Sequence, residues 1–457
     1  MAVDRSFHHR TPQERRAEGK AARKALPRSA HGVWSPRADR PDPVALLTAD
    51  DADRQPDLVP IRWGRMSASL FAFYRGSASL MAADLAPLPR TGLQVQLCGD
   101  AHLSNFGLYG SPERALLFDV NDFDETLPGP FEWDLKRLAT SLVLAARNNG
   151  FAEETARVSA LAAVRSYREH MAAYAEMGEL DVWYSRVAAD DLLGMVRAKR
   201  RAALKAAEKG IAKTRGRGSL QAAGKLTEVV DGQRRFVEQP PLIMHLDELP
   251  EATGTHDLFD QYARTLADDR RELVRRFDVI DVARKVVGVG SVGTRCVVVL
   301  LKGRAEDDPL ILQVKEAGPS VLEPYLGKSR FAHAGHRVVA GQRLTQAASD
   351  IFLGWMTGPA GRHFYWRQLR DMKGSAEVET FQPAGLEVYA EACGWALARG
   401  HARSGRRIAI AAYLGGGDRF DQAVADFATA YADLAEKDFA AVGKAIKQGR
   451  IATETGV

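Results

Sequence analysis

Short apolar runs in the first third of the chain are followed directly by acidic residues. Residues 93–97 (LQVQL) predict a strand that leads into Asp100, and residues 115–118 (ALLF) predict a second strand that ends at Asp119. Each strand end releases carboxylates into a loop, which core packing does not require. Residues 134–147 then carry leucines at helical spacing and predict a helix that faces a core.

A different pattern begins at residue 282. The segment ARKVVGVGSVGTRCVVVLLKG has β-branched runs on both sides of a glycine-rich stretch, and PLILQVKEA predicts a further strand that carries Lys315. Residues 363–371 predict another strand, and the remainder of the chain is helical in pattern. The stretch between the two β-rich regions is largely helical, with a hairpin expected at Asp231 and Gly232.

Composition places the chain among soluble globular proteins. Its 457 residues are too many for one ordinary core, so two or three domains are expected. No apolar run is long enough to span a bilayer and the N-terminus has no secretory pattern, so no membrane association is predicted. The cysteines Cys98, Cys296 and Cys393 form no CxxC pair, which fits a reducing cytoplasmic location.

The net charge of +5 is modest, and the basic residues gather in two places. These are residues 1–40 and 197–217, where solvated tail and helix faces explain the charge more simply than a nucleic-acid partner does. Residues 1–40 are also poor in large apolar side chains. They are therefore predicted to form a flexible basic arm.

The glycine-rich stretch GVGSVG contains Gly288, Gly290, Ser291 and Gly293 and matches G-x-G-x-x-G, a pattern of low specificity. In a dinucleotide-binding unit these glycines would open a helix, but here the β-branched run CVVVLL follows. A glycine loop between two antiparallel strands instead covers the phosphates of ATP in kinases, with a lysine on the next strand. Lys315 occupies that position. The alternative is a tight hairpin followed by an ordinary surface lysine.

Five blocks of the sequence resemble a known family: CGDAHLSNFG, FDVNDFDETLPGPFEWDLKRLA, VGVGSVGT, VKEAGPSVLEPY and YWRQLRDMKGS. From about residue 37 onward the chain resembles the DUF2252 family, bacterial proteins of unassigned function. More distantly, GDAHLSN is similar to the HGDxHxxN loop of aminoglycoside and choline kinases. NDFDETLPGPFEWDLKRLA is similar to the segment that follows that loop in those kinases.

The resemblance implies roles for individual residues. Asp100 matches the catalytic base, and Asn105 and Asp122 match the two groups that bind Mg²⁺. Asp134 matches a structural aspartate that steadies the loop. Cys98 departs from the pattern, because it replaces a histidine whose imidazole makes a structural hydrogen bond in those kinases.

The same resemblance assigns Lys315 and the backbone around Ser291 to the nucleotide phosphates. For the acidic partner of Lys315, the nearest downstream candidate is Glu323. Gln342 or Gln346 could substitute for it only through a neutral hydrogen bond.

Several polar residues near the acidic stretch keep two interpretations. His102 is a candidate metal ligand, although a lone histidine favours a hydrogen-bonding loop residue. Asp119 and Asp124 are interpreted as loop-stabilising residues that could replace Asp122 as a ligand. Arg75, like its neighbouring arginines, could hold an anionic substrate or form surface ion pairs.

The expected fold is α+β, a two-lobed protein kinase-like fold. Residues 396–405 resemble the helix that precedes the catalytic loop in small-molecule kinases, so the order of the segments implies a circular permutation with a helical insertion. The predicted divisions are a flexible arm (1–40), the catalytic-loop half of the large lobe (41–150), a mostly helical insertion (151–281), the small nucleotide-binding lobe (282–375) and the C-terminal helices of the large lobe (376–457).

The expected function is an ATP- and Mg²⁺-dependent phosphotransferase that acts on an unidentified hydroxyl-bearing acceptor, either a small molecule or a protein. Two alternatives stay open. One is a nucleotide-binding pseudokinase or an AMP-transferring enzyme on the same fold. The other is a metal-dependent hydrolase that uses Asp100, His102, Asp119 and Asp122.

Overall fold

The computed structural model describes residues 10–199, 201–216, 218–246, 255–305, 307–369 and 372–456. The helices are α1 Pro12–Ala25, α2 Pro43–Ala49, α3 Val59–Met66, α4 Leu70–Arg75, α5 Ala78–Leu85, α6 Glu132–Asn148, α7 Glu153–Glu176, α8 Glu179–Tyr184, α9 Ala189–Lys199, α10 Arg201–Arg215, α11 Ser219–Leu226, α12 Thr255–Ala263, α13 Asp268–Val274, α14 Glu323–Leu326, α15 Ala334–Thr345, α16 Pro383–Ser404, α17 Arg407–Leu414 and α18 Arg419–Lys447. The strands are β1 Gln94–Leu97, β2 Phe106–Gly110, β3 Leu116–Val120, β4 Leu127–Pro130, β5 Thr227–Val230, β6 Gln233–Phe236, β7 Ile243–His245, β8 Asp278–Lys285, β9 Cys296–Lys302, β10 Pro309–Glu316, β11 Gly354–Thr357, β12 His363–Gln368 and β13 Gly374–Ser375. The α+β class is therefore confirmed.

The largest sheet has six antiparallel strands in the order β11-β12-β10-β9-β8-β7. Its central strand β10 is buried on both faces, which explains why PLILQV reads as a continuous apolar run instead of an alternating one. One face, with Leu312 and Trp366, packs against Tyr262 of α12. The other face bears Val298 and Ile311 under α11 and the β5–β6 hairpin.

The main core lies in a bundle of long helices. Helices α6 and α7 pack against α16 and α18, so segments from both sides of the six-stranded sheet in the chain share one core. Helix α6 has its predicted apolar face, and Leu135, Leu138 and Leu142 are fully buried. Strands β1 and β4 pair beside this bundle, and β2, β3 and β13 form a small sheet.

The prediction of a flexible arm over residues 1–40 is wrong for residues 12–32. Helix α1 begins at a capping box, in which Thr11 and Glu14 satisfy each other's backbone N–H groups. Gly19 lets this helix approach α17 closely, because a Cβ there would lie 2.0 Å from the Ala409 carbonyl oxygen. His31 is buried and its Nε2 lies 2.7 Å from the Tyr413 hydroxyl. Residues 1–9 lie outside the described part of the chain.

The predicted boundary at residues 281 and 282 also needs correction. It falls inside β8, and the six-stranded sheet already gains β7 at residues 243–245. A strand as short as β7 has no readable alternation of its own, so its place in the sheet depends on tertiary packing. The hairpin predicted at Asp231 and Gly232 is confirmed by the pairing of β5 with β6. No helix in the described residues is long and apolar enough to cross a membrane.

Candidate functional site

The loop that carries Asp100 is fixed by two neighbouring segments. Strand β1 pairs with β4, so that Leu97 lies opposite Leu127 and the loops at this end of the two strands meet. Gly99 is required at the contact: its φ is +88°, and a Cβ there would lie 2.3 Å from the Glu125 carbonyl oxygen. The Asp100 loop and the acidic loop at 122–125 are therefore neighbours.

Asp134 secures the same loop from the first turn of α6. It accepts hydrogen bonds from the backbone N–H groups of Cys98, at 2.8 Å, and Gly99, at 3.1 Å, which matches the steadying role expected of it. His401 of α16 lies 3.2 Å from the same carboxylate. This imidazole was missed in the sequence, where the replacement of a histidine by Cys98 suggested that no such contact existed.

Asp100 makes a partly buried ion pair that the sequence did not predict. Arg137 Nε donates to Asp100 Oδ1 at 2.8 Å, and the guanidinium stacks on Tyr74 with its centre 3.8 Å from the ring centroid. His102 Nε2 lies 3.6 Å from the other carboxylate oxygen. Burial lowers the pKa of His102 to about 4, so the imidazole is neutral at pH 7.

The β2–β3 hairpin brings the two predicted metal-binding residues to one end. Phe106 pairs with Val120, and the Asn121 N–H donates to the Asn105 carbonyl oxygen at 2.7 Å. The Asn105 side-chain nitrogen donates to the Asp100 carbonyl oxygen at 2.7 Å, which leaves its side-chain oxygen as the atom available to a cation. Asp122 follows directly after Asn121.

Lys315 binds the acidic loop. Its ammonium group forms an ion pair with Asp124 and lies 3.5 Å from Asp122. Tyr365 donates its hydroxyl to Asp124 at 2.6 Å. Burial would lower the pKa of Lys315, but the two carboxylates raise it well above its usual value.

Glu323, the candidate partner of Lys315, does not pair with it; Lys315 pairs with Asp124 and Asp122. Glu323 begins α14, where it accepts from the Ser320 N–H and lies 3.9 Å from Arg337 Nε. Arg337 of α15 also donates to the carbonyl oxygens of Asp124 and Thr126, both at 2.8 Å, and so holds the acidic loop towards β10. Asp124 is therefore the residue that reaches Lys315.

Charge around Asp122 favours its ionised form. Burial raises the pKa of this carboxyl, but Lys315, Arg367 and Lys373 outweigh burial and hold the pKa well below the usual range. Glu125, in the same loop, shows the opposite balance. Burial raises its pKa to about 7, although Arg337 opposes that rise.

The glycine loop between β8 and β9 is docked on the helices near the N-terminus. Arg65 donates to the Gly288 carbonyl oxygen at 2.7 Å and Arg54 donates to that of Val292 at 2.5 Å. Val292 packs against Leu58 in a small buried cluster. The loop is thus a fixed cover and not a free hairpin.

A cleft of about 530 Å³ lies between this cover and the acidic loop. Its walls include predicted residues from α4 and from both β-rich parts of the chain, namely Arg75, Asp100, His102, Asn105, Asp122, Asp124, Gly288, Gly290 and Ser291. Arg62, one of the arginines considered together with Arg75, also lines it. Residues that sequence reasoning missed line it as well, among them Asp50, Arg54, Glu125 and Arg362. Glu125 was identifiable from its place in the acidic run. Arg54 and Arg362 were missed because they lie far from that run in the chain.

Asp119 does not contribute to the cleft. Its carboxylate forms an ion pair at 2.6 Å with Arg399, and both side chains are almost completely buried. It also accepts from the Ala347 N–H at 2.8 Å. This supports the interpretation of Asp119 as a structural residue and removes it as a replacement for Asp122.

A metal in this cleft would depend on few protein ligands. Among the described residues, no three His, Cys, Asp or Glu side chains are grouped so as to hold a metal ion. Mg²⁺ is commonly held by one or two carboxylates together with substrate phosphates. Asn105 and Asp122 fit that donor set, because both supply oxygen and both face the cleft.

The sheet, the helical bundle and the ionic cleft between them define an α+β protein with a covered polar site. The chain matches the family described as "Uncharacterized protein conserved in bacteria (DUF2252)" over residues 54–445. It belongs to that family. No curated protein and no solved structure matches the chain.

Proposed function

We propose that this protein is an ATP- and Mg²⁺-dependent phosphotransferase that acts on a hydroxyl-bearing acceptor. One observation carries the proposal: Lys315 reaches the acidic loop of Asp122 and Asp124, although about 190 residues of chain lie between them. A phosphate-binding lysine and a metal-binding carboxylate need to be neighbours, because both act on the same nucleotide phosphates.

The order of the strands supports a kinase-like arrangement. The glycine loop joins the antiparallel neighbours β8 and β9, Lys315 lies on β10, and β12 separates β10 from β11. This is the sequence of parts in which a kinase covers ATP phosphates with a glycine loop and binds them with a lysine on the third strand.

A circular permutation is supported by the end of α16. Ser404 accepts from the Gln96 N–H at 3.1 Å, and a Cβ at Gly405 would lie 2.6 Å from Val95. The helix therefore ends beside β1, the strand that leads into Asp100. Although α16 follows the Asp100 loop in the chain, its end lies beside the strand that leads into that loop. The corresponding helix comes directly before the catalytic loop in a kinase of ordinary segment order.

The chemistry asked of these residues is mainly positioning and charge neutralisation. Asp100, oriented by Arg137, would accept the proton of the acceptor hydroxyl or orient it for attack. Asn105 and Asp122 would hold Mg²⁺, which would supply positive charge to offset that of the nucleotide phosphates. Lys315 would leave its present ion pair with Asp124 to bind a phosphate as a point charge.

A nucleotide-binding protein without phosphoryl transfer, or with AMP transfer, is the second candidate. The observation that favours it is the pairing of Lys315 with Asp122 and Asp124. In active protein kinases the corresponding lysine pairs with a glutamate of a helix, and no acidic side chain of α15 takes that place here. The hydrolase alternative is less well supported, because Asp119 is paired with Arg399 away from the cleft.

Calorimetric titration with ATP and Mg²⁺ tests the proposal. The wild type should bind only with Mg²⁺ present, and Lys315→Ala and Asp122→Asn should each weaken binding by about tenfold or more. Lys328→Ala, a change of an exposed lysine, serves as the control and should bind as the wild type does. Absence of nucleotide binding in the folded wild type would contradict the proposal.

Turnover separates transfer from binding alone. Asp100→Asn should retain ATP binding. Its rate of ATP hydrolysis to ADP, the slow side reaction of a kinase without an acceptor, should fall by about a hundredfold or more. Binding of ATP by the wild type without any formation of ADP would favour the binding-only alternative, and equal ADP formation by both proteins would contradict the role of Asp100.

A further inference from the structure

Arg75 differs from the other arginines that line the cleft. Arg54 donates to the carbonyl oxygens of Asp50 and Val292, and Arg362 forms an ion pair with Glu316 at 2.7 Å. The buried Nε atoms of Arg62 and Arg75 both have no hydrogen-bond partner among the described residues, but Arg62 forms an ion pair with Asp51 at 2.9 Å. Arg75 forms no ion pair within the described part of the chain. A guanidinium without such hydrogen bonds or ion pairs is available to a ligand.

The acidic residues nearest to Arg75 do not neutralise it directly. Asp100 is held by Arg137 at 2.8 Å, and neither Asp100 nor Glu379 forms an ion pair with Arg75 within 4.0 Å in the described chain. Burial lowers the pKa of Arg75, and these two carboxylates only partly offset the effect. A partly buried cation without a close counter-ion is costly, so an anion that supplied one would bind favourably.

The position of Arg75 decides where such an anion would lie. Its backbone carbonyl supports the tip of the glycine loop, because a Cβ at Gly290 would lie 3.1 Å from that oxygen. Its side chain lines the cleft together with Asp100 and His102. Arg75 therefore stands between the cover of the cleft and the candidate catalytic residue.

We propose that Arg75 forms an oxyanion-binding subsite at the Asp100 end of the cleft, which takes a phosphate or carboxylate group. The inference rests on the proposed function and adds to it a requirement for a charged ligand at the reacting centre. A guanidinium suits this task because its planar N–H groups match the paired oxygens of both anions. Two sources carry this chemistry: the terminal phosphate of the donor, and an acidic group on the acceptor.

The experiment uses inorganic phosphate as the probe. Phosphate is titrated by calorimetry into the full-length protein, first alone and then with the nucleotide site filled by ADP and Mg²⁺. Arg75→Gln should weaken phosphate binding by about tenfold or more, since a charged hydrogen bond is lost. Arg75→Lys should recover part of the affinity because it keeps a point charge, and Arg330→Gln, an exposed arginine, should have no effect.

Nucleotide affinities of the same variants identify the source of the anion. If Arg75→Gln weakens ATP binding but not ADP binding, the subsite takes the terminal phosphate of the donor. If it weakens only phosphate binding in the presence of ADP, the subsite takes an acidic group of the acceptor. Either result supports the subsite.

Equal phosphate affinity in wild type and Arg75→Gln would overturn the inference, as would the lack of any phosphate binding by the wild type. Failure of the proposed function looks different. In that case ADP and ATP do not bind, while the titration of phosphate alone still compares Arg75→Gln with the wild type.

Discussion

Asp119 and Arg399 form an ion pair with almost no access to solvent, with relative exposures of 1% and 0% for the two side chains. Arg399 also donates to the Thr345 carbonyl oxygen. Loss of one partner of such a pair leaves a buried charge without compensation. The pair therefore fixes α16 against β3 and the end of α15.

Asp119→Asn should lower the free energy of unfolding by about 3–5 kcal/mol, because Arg399 would stay buried without a counter-ion. Urea unfolding measures the change. Asp426→Asn is the matched control: it breaks an ion pair with Arg157 in which Asp426 is 58% exposed, so its cost should be under about 1 kcal/mol. Similar effects for both variants would contradict the structural role of Asp119.

Local patterns predicted most residues of the candidate site. The ends of two predicted strands indicated Asp100 and the acidic run after Asp119, and the family resemblance singled out Asp122 within that run. The β-branched run after the glycines identified their loop as part of a hairpin. The partner of Lys315 could not be predicted from the sequence. Asp124 lies beside Lys315 in a loop that Arg337, more than 200 residues away in the chain, binds. Contacts of this kind leave no periodicity in a sequence.

At the scale of whole elements, two helices meet at a glycine. Gly394 of α16 faces α7, and a Cβ there would lie 2.1 Å from the Ala163 carbonyl oxygen. At Gly443 of α18, apart from its chain neighbours and the nearby backbone of its own helix, no atom of the described residues lies within 4 Å of the Cβ position. The two sites thus separate the packing effect of a methyl group from its effect on helix propensity.

Gly443→Ala should raise the free energy of unfolding by up to about 1 kcal/mol, because alanine favours the helix. Gly394→Ala should lower it by about 1–3 kcal/mol, because backbone stands where the methyl group must go. Chemical denaturation of both variants provides the comparison. Stabilisation by both changes would mean that α7 and α16 are packed less closely than described.

Helices and strands with a strong local pattern were predicted well, but the packing of one element against another was not. Helix α6 and the strands around Lys315 followed directly from their apolar spacing. Helix α1 was taken for part of a flexible arm because its composition is basic, although the capping box of Thr11 and Glu14 was present in the sequence. The close approach of Gly19 to Ala409 required the three-dimensional structure.

At the scale of the whole molecule, pH should act through histidines that fold in the neutral state. Burial lowers the pKa of His31 to about 3, whereas a histidine in the unfolded chain has a pKa near 6.5. Between these two pKa values, His31 binds a proton in the unfolded chain but not in the folded chain. Acid therefore favours unfolding across the interval between the two pKa values.

The free energy of unfolding should consequently fall by about 2 kcal/mol through His31 alone between pH 7 and pH 5. In His31→Gln this part of the pH dependence should disappear, whatever the variant's stability at pH 7. Urea unfolding at the two pH values gives the result. Parallel losses in wild type and variant would show that His31 is not buried as a neutral group.

The turn at Asp231 and Gly232 lies on the surface, at a point in the chain between the acidic loop and the glycine loop. A gene divided there would encode one polypeptide with Asp100 and Asp122 and another with Lys315. Neither polypeptide would contain all the residues that line the cleft. The helices of both nevertheless pack in one core. Ligand binding would then report the reunion of two separately made polypeptides, which makes the chain a natural starting point for a split-protein sensor.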